Sequence, residues 1–249
     1  MRKISNKLIE EALHLADNEH SKVGEREKRL FGLSSYRMRA AINNLCSVPN
    51  TKYLEIGLYR GATLISAAIG NKTCKLVGIE NFSYDDREPK KKAPAGTYWT
   101  NMESQLMDNI SRYRDPDSGV NVDNITVIKE DFAKADIKEL GPFDICFFDV
   151  SPVNKEIYKQ FVEKIIPHMA KECTLVFSNY SNEAHAKQIE EVLNDNADKI
   201  VVNKQFQRIS GGLSDDTQYY SGILVLSATI ETGAVKSAAK PVTKVAAKT

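Results

Sequence analysis

The sequence predicts an α/β fold, with a mostly parallel seven-stranded sheet that ends in a C-terminal antiparallel strand pair and carries helices on both faces. Strand-like apolar runs alternate with helical patterns along most of the chain, and this alternation is typical of a parallel sheet. The last two strand-like runs are separated only by the polar loop 207–218, so we expect them to pair as an antiparallel hairpin. The 249 residues and 42% hydrophobic content suffice for one sizeable core, which predicts one domain with terminal extensions.

The predicted elements follow one another in a regular order. Two helices are expected within residues 1–48, because apolar residues recur at helical spacing in 5–19 and 34–47, with a charged connector at 22–29. The main domain is expected at 49–228. Its strand-like runs lie at 53–56, 75–79, 125–129, 143–148, 174–178, 200–206 and 219–227. Its helical patterns lie at 62–69, 98–113, 153–169 and 182–197.

Two segments differ from this pattern. Residues 83–97 contain acidic residues and the run Lys90-Lys91-Lys92 between prolines, which indicates either a solvated surface loop or a lid over a site. The Lys/Ala-rich tail 229–249 contains four lysines and one glutamate, and its composition predicts disorder. Such a tail could contact nucleic acid weakly through phosphates, or serve only to keep the chain soluble.

Composition excludes several classes of protein. The formal net charge of +1 provides no global field that would attract nucleic acid or an anionic membrane. The four cysteines are widely spaced without a C-x-x-C motif, which predicts reduced thiols in a cytoplasmic protein. Arg2 and Lys3 are not followed by an apolar signal region, and no stretch approaches eighteen apolar residues, so neither secretion nor a membrane span is expected.

A glycine-containing segment indicates a ligand site. Residues 53–61 read Tyr-Leu-Glu-Ile-Gly-Leu-Tyr-Arg-Gly, so an apolar run ends in a carboxylate and two glycines just before a helical pattern. Such a strand-loop-helix brings backbone N–H groups and a helix N-terminus to one point. The next apolar run ends in Glu80, whose carboxylate can accept hydrogen bonds from the two hydroxyls of a ribose. Together these features predict a cofactor that contains adenosine.

The spacing of the glycines narrows the choice of cofactor. A dinucleotide fingerprint requires three glycines, but the aligned positions are Gly57, Tyr59 and Ala62, which weakens a nicotinamide-dependent oxidoreductase. No Lys-Ser or Lys-Thr pair follows Gly61, so a P-loop is excluded. The charge of Glu55 would repel a diphosphate but suits an ammonium or sulfonium group. S-adenosylmethionine is the adenosine cofactor that fits these requirements.

At these residues the sequence resembles the class I S-adenosylmethionine-dependent methyltransferases, in the O-methyltransferase-like subgroup found in bacteria and phages. The resemblance extends over residues 34–227 and includes Leu-Glu-Ile-Gly, three variable residues, Gly61 and Thr63. It implies a Rossmann-like methyltransferase fold, with residues 49–228 as the S-adenosylmethionine-binding domain. The implied cofactor-binding residues are Glu55, Gly57, Gly61 and Thr63 at the methionine end, Glu80 with Asn81 at the ribose, and Asp131 with Phe132 at the adenine.

The chemistry is expected at the carboxyl ends of the strands, where ligands bind in open α/β sheets. The fourth strand ends at Asp149, which we predict to be the catalytic general base if the acceptor is a hydroxyl. The fifth strand leads to Asn179 and Tyr180, the candidate substrate contacts. Methyl transfer depends mainly on alignment of the acceptor with the methyl group, so positioning can supply much of the rate.

The resemblance also bears on metal use. Catechol-type relatives bind magnesium with an Asp after strand four and an Asp-Asn pair after strand five, whereas this chain has Ser178-Asn179 at the second place. The related subgroup has Asp-Gly-x-His after strand four, and this chain has Asp149-Val150-Ser151-Pro152. These departures argue against a metal-assisted mechanism, and no metal ligand is assigned.

The sequence favours O-methylation of a small-molecule or sugar hydroxyl and leaves two alternatives open. One is a cofactor-binding or interaction protein of the same fold whose active site has decayed. The other is a nucleic-acid methyltransferase, which Asp149-Val150-Ser151-Pro152-Val153 disfavours because the second proline and the aromatic residue typical of base-amine methylation are absent. The sequence identifies neither the acceptor nor the oligomeric state.

Overall fold

The computed structural model describes residues 4–83, 101–113, 122–150, 154–208 and 222–231. Its α-helices within these ranges are Asn6–Asp17 (α1), Glu25–Lys28 (α2), Tyr36–Leu45 (α3), Ala62–Ala68 (α4), Met102–Tyr113 (α5), Lys155–Lys164 (α6) and Glu183–Asp195 (α7). Its strands are Lys52–Ile56 (β1), Lys75–Glu80 (β2), Ile125–Lys129 (β3), Phe143–Phe148 (β4), Met169–Ser178 (β5), Ile200–Arg208 (β6) and Ile223–Ile230 (β7). Short 3-10 turns occupy Val122–Asn124 and Ile166–His168.

The strands form one seven-stranded sheet in the order β3-β2-β1-β4-β5-β7-β6. Strands β1 to β5 pair in parallel, while β7 is antiparallel to both β5 and β6. The structure therefore confirms the predicted sheet and its C-terminal antiparallel pair. The order of the strands reverses between β1 and β4, which creates a crevice at their carboxyl ends.

Apolar side chains form one core on each side of the sheet. In β4, for example, Ile145 and Phe147 join the core beneath α1, α3, α4 and α5, while Cys146 and Phe148 join the core beneath α6 and α7. This alternation follows from the two-residue period of a strand. The predicted helices on both faces are thereby confirmed. None of the described helices combines the length and apolar character needed to cross a membrane.

Three differences between the predicted and observed boundaries have a clear structural basis. The expected connector 22–29 contains the short helix α2, in which the carboxylate of Glu27 accepts a hydrogen bond from the backbone of Gly24 at 3.0 Å. The helix predicted at 153–169 ends at Lys164, and β5 starts at Met169, because a turn containing Pro167 intervenes. Strand β7 continues to Ile230, so residues 229 and 230 belong to the sheet rather than to the predicted tail.

Several sequence predictions concern residues outside the described ranges. They are the nature of most of the segment 83–97, the start of the last strand before residue 222, and the tail beyond residue 231. The four cysteines all lie within the described ranges, and each is free and buried.

Asn43 attaches the N-terminal helices to α4. Its side-chain amide donates hydrogen bonds of 2.8 Å to the carbonyls of Ser66 and Ile69, at the C-terminal end of α4. Its side-chain oxygen accepts a 3.0 Å bond from the backbone of Lys22. The Lys22 ammonium in turn contacts the carbonyl of Gly70 at 3.2 Å. One buried side chain thus satisfies backbone groups at the end of α4 and in the connection between α1 and α2, and it fixes the helix that follows the glycine segment.

We expect Asn43→Ala to lower the free energy of unfolding by about 3 kcal/mol, since it removes two buried hydrogen bonds to carbonyls at the end of α4 and a part-buried bond from the backbone of Lys22. Urea denaturation measures this effect. The matched control is Asn203→Ala on β6, where an exposed asparagine makes a 2.9 Å bond to Thr229 and truncation should cost less than about 0.5 kcal/mol. Equal losses for the two variants would contradict the central role of Asn43.

Candidate functional site

A cavity of about 510 Å³ opens at the carboxyl ends of β1, β2, β4 and β5. It lies where the order of the strands reverses, the position expected for a ligand in this type of sheet. Its volume is within the range of small-molecule sites. The predicted site residues that line it are Gly57, Thr63, Glu80, Asn81, Phe132, Asp149 and Asn179.

The segment between β1 and α4 needs its two glycines for different contacts. Gly57 has a φ of +90°, and a Cβ atom there would lie 2.1 Å from the carbonyl oxygen of Asp149. Gly61 has a φ of +77°, and its Cβ would lie 2.3 Å from the side chain of Leu106 on α5. Tyr59, at the position of the missing central glycine, also has a positive φ of +52°. The tight turn is therefore retained although only its two ends are glycine.

Glu55 lies beneath the glycine segment rather than in the cavity lining. Its carboxylate is fully buried and accepts hydrogen bonds from the Tyr53 hydroxyl at 2.6 Å and from the Thr63 hydroxyl. Burial raises the pKa of Glu55 to about 8, against the effect of these two hydrogen bonds, and the nearby carboxylates of Asp149 and Glu80 raise it further. The direct structural role of Glu55 is to link β1 to α4. Its predicted role at the methionine end stays a prediction. Thr63 would connect Glu55 to a ligand, because Thr63 lines the cavity and donates its hydroxyl to Glu55.

Glu80 lines the cavity, but its carboxylate already binds the backbone. One oxygen accepts hydrogen bonds from the backbone N–H groups of Leu58 at 3.0 Å and Tyr59 at 3.2 Å. The other accepts from Asn81 at 3.0 Å and Phe82 at 3.2 Å. Four donors fill the usual acceptor capacity of a carboxylate. Glu80 therefore holds the glycine segment against the end of β2, and ribose hydroxyls would have to share or replace these donors.

The residues after β3 are arranged differently from the sequence interpretation. Asp131 lies outside the cavity lining, and its carboxylate accepts a 2.9 Å bond from the backbone of Ala133, which caps a turn. Its neighbours Glu130 and Phe132 line the cavity. Phe132 packs edge-to-face on Phe148, with ring centroids 5.7 Å apart. The predicted contact of Asp131 with adenine stays a prediction, while Phe132 is well placed to bind an apolar ring.

Asp149 faces the cavity from the end of β4 and is hydrogen-bonded to β5. Its backbone N–H donates to Ile56 at 2.8 Å, and the hydroxyl of Ser178 donates to its Oδ1 atom. The side-chain amide of Asn179 donates to the Ser178 oxygen at 3.0 Å. Burial raises the pKa of Asp149 to about 6, against the hydrogen bond from Ser178, and the charge of Glu80 also raises it. A carboxylate with this pKa can accept a proton near neutral pH.

Tyr180 is buried outside the cavity lining. Its hydroxyl bonds to the carboxylate of Glu190 and accepts from Gln207, each at 3.2 Å. Burial, followed by the charge of Glu190, raises the pKa of Tyr180 to about 12. These contacts support a packing role between β5, α7 and β6. Its predicted contact with the substrate stays a prediction.

The charged side chains in the described lining of the cavity are all acidic. Glu80, Glu130 and Asp149 line it, and no lysine, arginine or histidine does so among the described lining residues. Such a lining favours a cationic or neutral ligand and disfavours a diphosphate. No cluster of three or more His, Cys, Asp or Glu side chains suited to a metal ion occurs among the residues that the structure describes.

Sequence reasoning did not identify the wall contributed by the N-terminal segment. Gly32, Leu33 and Ser34, together with Met38 of α3, line the cavity. A Cβ atom on Gly32 would lie 2.4 Å from the Cβ of Ala62, so this segment is pressed against the first residue of α4. Nothing in the local sequence signals such a long-range contact, although a glycine before a helix start indicates a turn.

Comparison with known proteins relates this architecture to solved structures. No protein-family model matches the chain. No curated protein sequence matches it either. A precorrin-6y C5,15-methyltransferase from Geobacter metallireducens superposes with a TM-score of 0.50 at 15% identity, covering 82% of this chain and 91% of that chain.

Two further structures show similar agreement. An SAH-bound methyltransferase from Podospora anserina gives a TM-score of 0.50 at 14% identity, covering 90% of this chain and 88% of that chain. TrmN from Thermus thermophilus gives 0.53 at 11% identity, with 83% of this chain matched to 52% of that chain. At such identities the agreement concerns architecture alone. The chain has the Rossmann-like fold of these methyltransferases, with a seven-stranded sheet and a C-terminal antiparallel pair.

Proposed function

We propose that the protein is an S-adenosylmethionine-dependent methyltransferase that methylates a hydroxyl of a small molecule or sugar. The observation that carries this proposal is the cavity beside the glycine segment, at the point where the order of the strands reverses. Among the described residues that line this cavity, the charged side chains are all carboxylates. A sulfonium cofactor matches that charge, whereas a nicotinamide dinucleotide would bring a diphosphate to three carboxylates. The shared fold supports the proposal without deciding the substrate.

The residues of the cavity fit the parts of the cofactor. Gly57 and Thr63 would hold its methionine end beside the N-terminal segment, and Glu80 with Asn81 would lie at the ribose. Phe132 and Ile79 offer an apolar surface for the adenine. When bound, S-adenosylmethionine supplies a methyl group on a positively charged sulfur that leaves as a neutral thioether.

The acceptor would lie on the β4 and β5 side of the cavity, where Asp149, Ser178 and Asn179 meet. As the acceptor oxygen forms its bond to the methyl carbon, Asp149 takes the hydroxyl proton on its carboxylate. Orientation of the acceptor by the surrounding polar side chains supplies the alignment that the reaction needs. No step in this scheme requires a metal ion.

Calorimetric titration of the folded protein with S-adenosylhomocysteine, the demethylated product, tests the first part of the proposal. We expect a Kd between about 1 µM and 1 mM, the usual range for enzyme ligands. NAD⁺ serves as the diphosphate-containing control and should not bind. Absence of S-adenosylhomocysteine binding at millimolar ligand would refute the proposal.

The variant Asp149→Asn separates binding from catalysis. Because the sulfur of S-adenosylhomocysteine is uncharged, this variant should bind it about as well as the wild type does. Methyl transfer from radiolabelled S-adenosylmethionine to a panel of sugars and hydroxylated small molecules should fall by about 10²- to 10⁴-fold once an acceptor is found. Binding without any transfer in the wild type would favour a decayed enzyme, and transfer only to nucleic acid would replace the proposed acceptor class.

A further inference from the structure

A directed chain of hydrogen bonds ends at the carboxylate of Asp149. The side-chain N–H of Asn179 can only donate, so the Ser178 oxygen must accept that 3.0 Å bond. The single hydroxyl proton of Ser178 is then free to point at Oδ1 of Asp149, its close acceptor. The carbonyl of Phe148 is a more distant alternative at 3.4 Å. The chain therefore runs from Asn179 through Ser178 to Asp149.

The backbone keeps this chain in place. Ser178 is the last residue of β5 and is 5% exposed, so its hydroxyl has little contact with solvent. Asn179 has a φ of +58°, a left-handed conformation that asparagine tolerates better than most residues. In this backbone conformation the side-chain amide of Asn179 points toward the hydroxyl of Ser178. Asn179 thus has a role within the protein in addition to the substrate contact that the sequence suggests.

We propose that Ser178 is a positioning residue for Asp149, and that Asn179 orients Ser178 in turn. The hydroxyl occupies Oδ1 of the carboxylate and leaves Oδ2 for the proton of the acceptor. This proposal deepens the function proposed above and rests on it. In this arrangement a neutral hydrogen-bond donor at the end of β5 acts through the carboxylate of the residue that follows β4.

The proposal has an electrostatic consequence that can be measured without any ligand. A hydrogen bond donated to a carboxylate favours its ionised form, and the bond from Ser178 lowers the pKa of Asp149 against the effect of burial. The other titratable groups that interact with Asp149 or share its cavity are Glu55 of β1, Glu80 of β2, Glu130 after β3 and Tyr158 of α6. These groups remain in place when Ser178 is replaced, so a change in titration reports on Ser178.

The experiment is a pH titration of the full-length protein followed by NMR of its ¹³C-labelled aspartate carboxyl groups. Asp149→Asn identifies the Asp149 signal by its loss. The wild-type midpoint should lie near pH 6. Ser178→Ala should raise it by about one pH unit, the size expected for loss of one hydrogen bond to a charged group. Ser178→Thr keeps the hydroxyl and should restore the wild-type midpoint.

Two further variants make the result specific. Asn179→Gly keeps the left-handed backbone and removes the amide, and it should raise the midpoint by less than Ser178→Ala does. Ser66→Ala removes a buried hydroxyl of α4 that has no hydrogen-bond partner among the described residues, and it should leave the midpoint unchanged. An unchanged midpoint in Ser178→Ala would overturn the proposal, as would equal shifts in Ser178→Ala and Ser66→Ala.

The positioning role of Ser178 and the proposed function can be rejected independently of each other. Wild-type protein that does not bind S-adenosylhomocysteine would reject the methyltransferase proposal, and with it the catalytic meaning of the hydrogen-bond chain. Wild-type protein that binds S-adenosylhomocysteine, with no shift on Ser178→Ala, would reject only the positioning role. If Ser178→Ala does not fold, Asn179→Gly decides, because an unchanged midpoint in that variant contradicts the chain.

Discussion

Replacement of Gly57 by alanine should weaken binding of S-adenosylhomocysteine by more than about tenfold, corresponding to at least about 1.4 kcal/mol. The new Cβ would meet the backbone carbonyl of Asp149 at 2.1 Å, a contact that no side-chain rotation can relieve. The φ of +90° adds strain for any residue with a Cβ. The glycine segment and the end of β4 must therefore separate, and both line the cavity. Calorimetric titration measures the loss of affinity.

Gly70→Ala is the matched control for backbone strain. Gly70 also has a positive φ, of +66°, but its Cβ would meet the flexible side chain of Lys22, away from the cavity. This variant should lose about 1 kcal/mol of stability and keep the wild-type affinity. A folded Gly57→Ala protein that binds S-adenosylhomocysteine as the wild type does would show that the ligand is not held at this segment.

The sheet could be predicted from the sequence because its signals are local. Short apolar runs separated by helical patterns predict parallel strands, and the polar sequence 207–218 between the last two apolar runs predicts their antiparallel pairing. The need for glycine at positions 57 and 61 is also local, since both positions have a positive φ. The edge of the sheet that carries Asp149 follows from the same topology.

The contacts of individual carboxylates could not be predicted so well. Glu55 is adjacent in sequence to the glycine segment, yet the two-residue period of β1 places it on the same face as Tyr53, beneath α4. Glu130 and Asp131 are neighbours of equal charge, and only the turn geometry decides that Glu130 lines the cavity while Asp131 caps the turn. The wall formed by residues 32–34 depends on how the N-terminal helices dock on α4, which no local pattern encodes.

The burial of Glu55 should make the stability of the protein fall as pH rises through neutrality. Its pKa is about 8 in the folded protein against an ordinary value of 4.5, so the folded state holds its proton more tightly than the unfolded state. The stabilisation is fully present below pH 4.5 and is lost as pH rises to about 8. Between pH 6.5 and 8 the loss should be about 2 kcal/mol in the wild type. Urea denaturation at both pH values measures it.

The variant Glu55→Gln should remove most of this dependence. Glutamine has the same shape and no charge, and the hydroxyls of Tyr53 and Thr63 can each accept or donate a hydrogen bond to its amide. The variant should therefore have nearly the same free energy of unfolding at pH 6.5 and at pH 8. Because the wild type loses stability over this range, the difference between variant and wild type should shift in favour of the variant at pH 8. Asp149→Asn keeps Glu55 and serves as the comparison, since the pKa of Asp149 is about 6 and its own titration lies mainly below this window. It should keep most of the loss of stability between pH 6.5 and 8, reduced somewhat because the charge of Asp149 no longer raises the pKa of Glu55.

A wild-type protein whose stability did not change between pH 6.5 and 8 would show that Glu55 is already ionised at neutral pH. Its two hydroxyl donors would then outweigh the desolvation of a fully buried carboxylate. That outcome would place a permanent negative charge directly beneath the glycine segment. The protonated form instead leaves Asp149, Glu80 and Glu130 to supply the negative charge that faces the ligand.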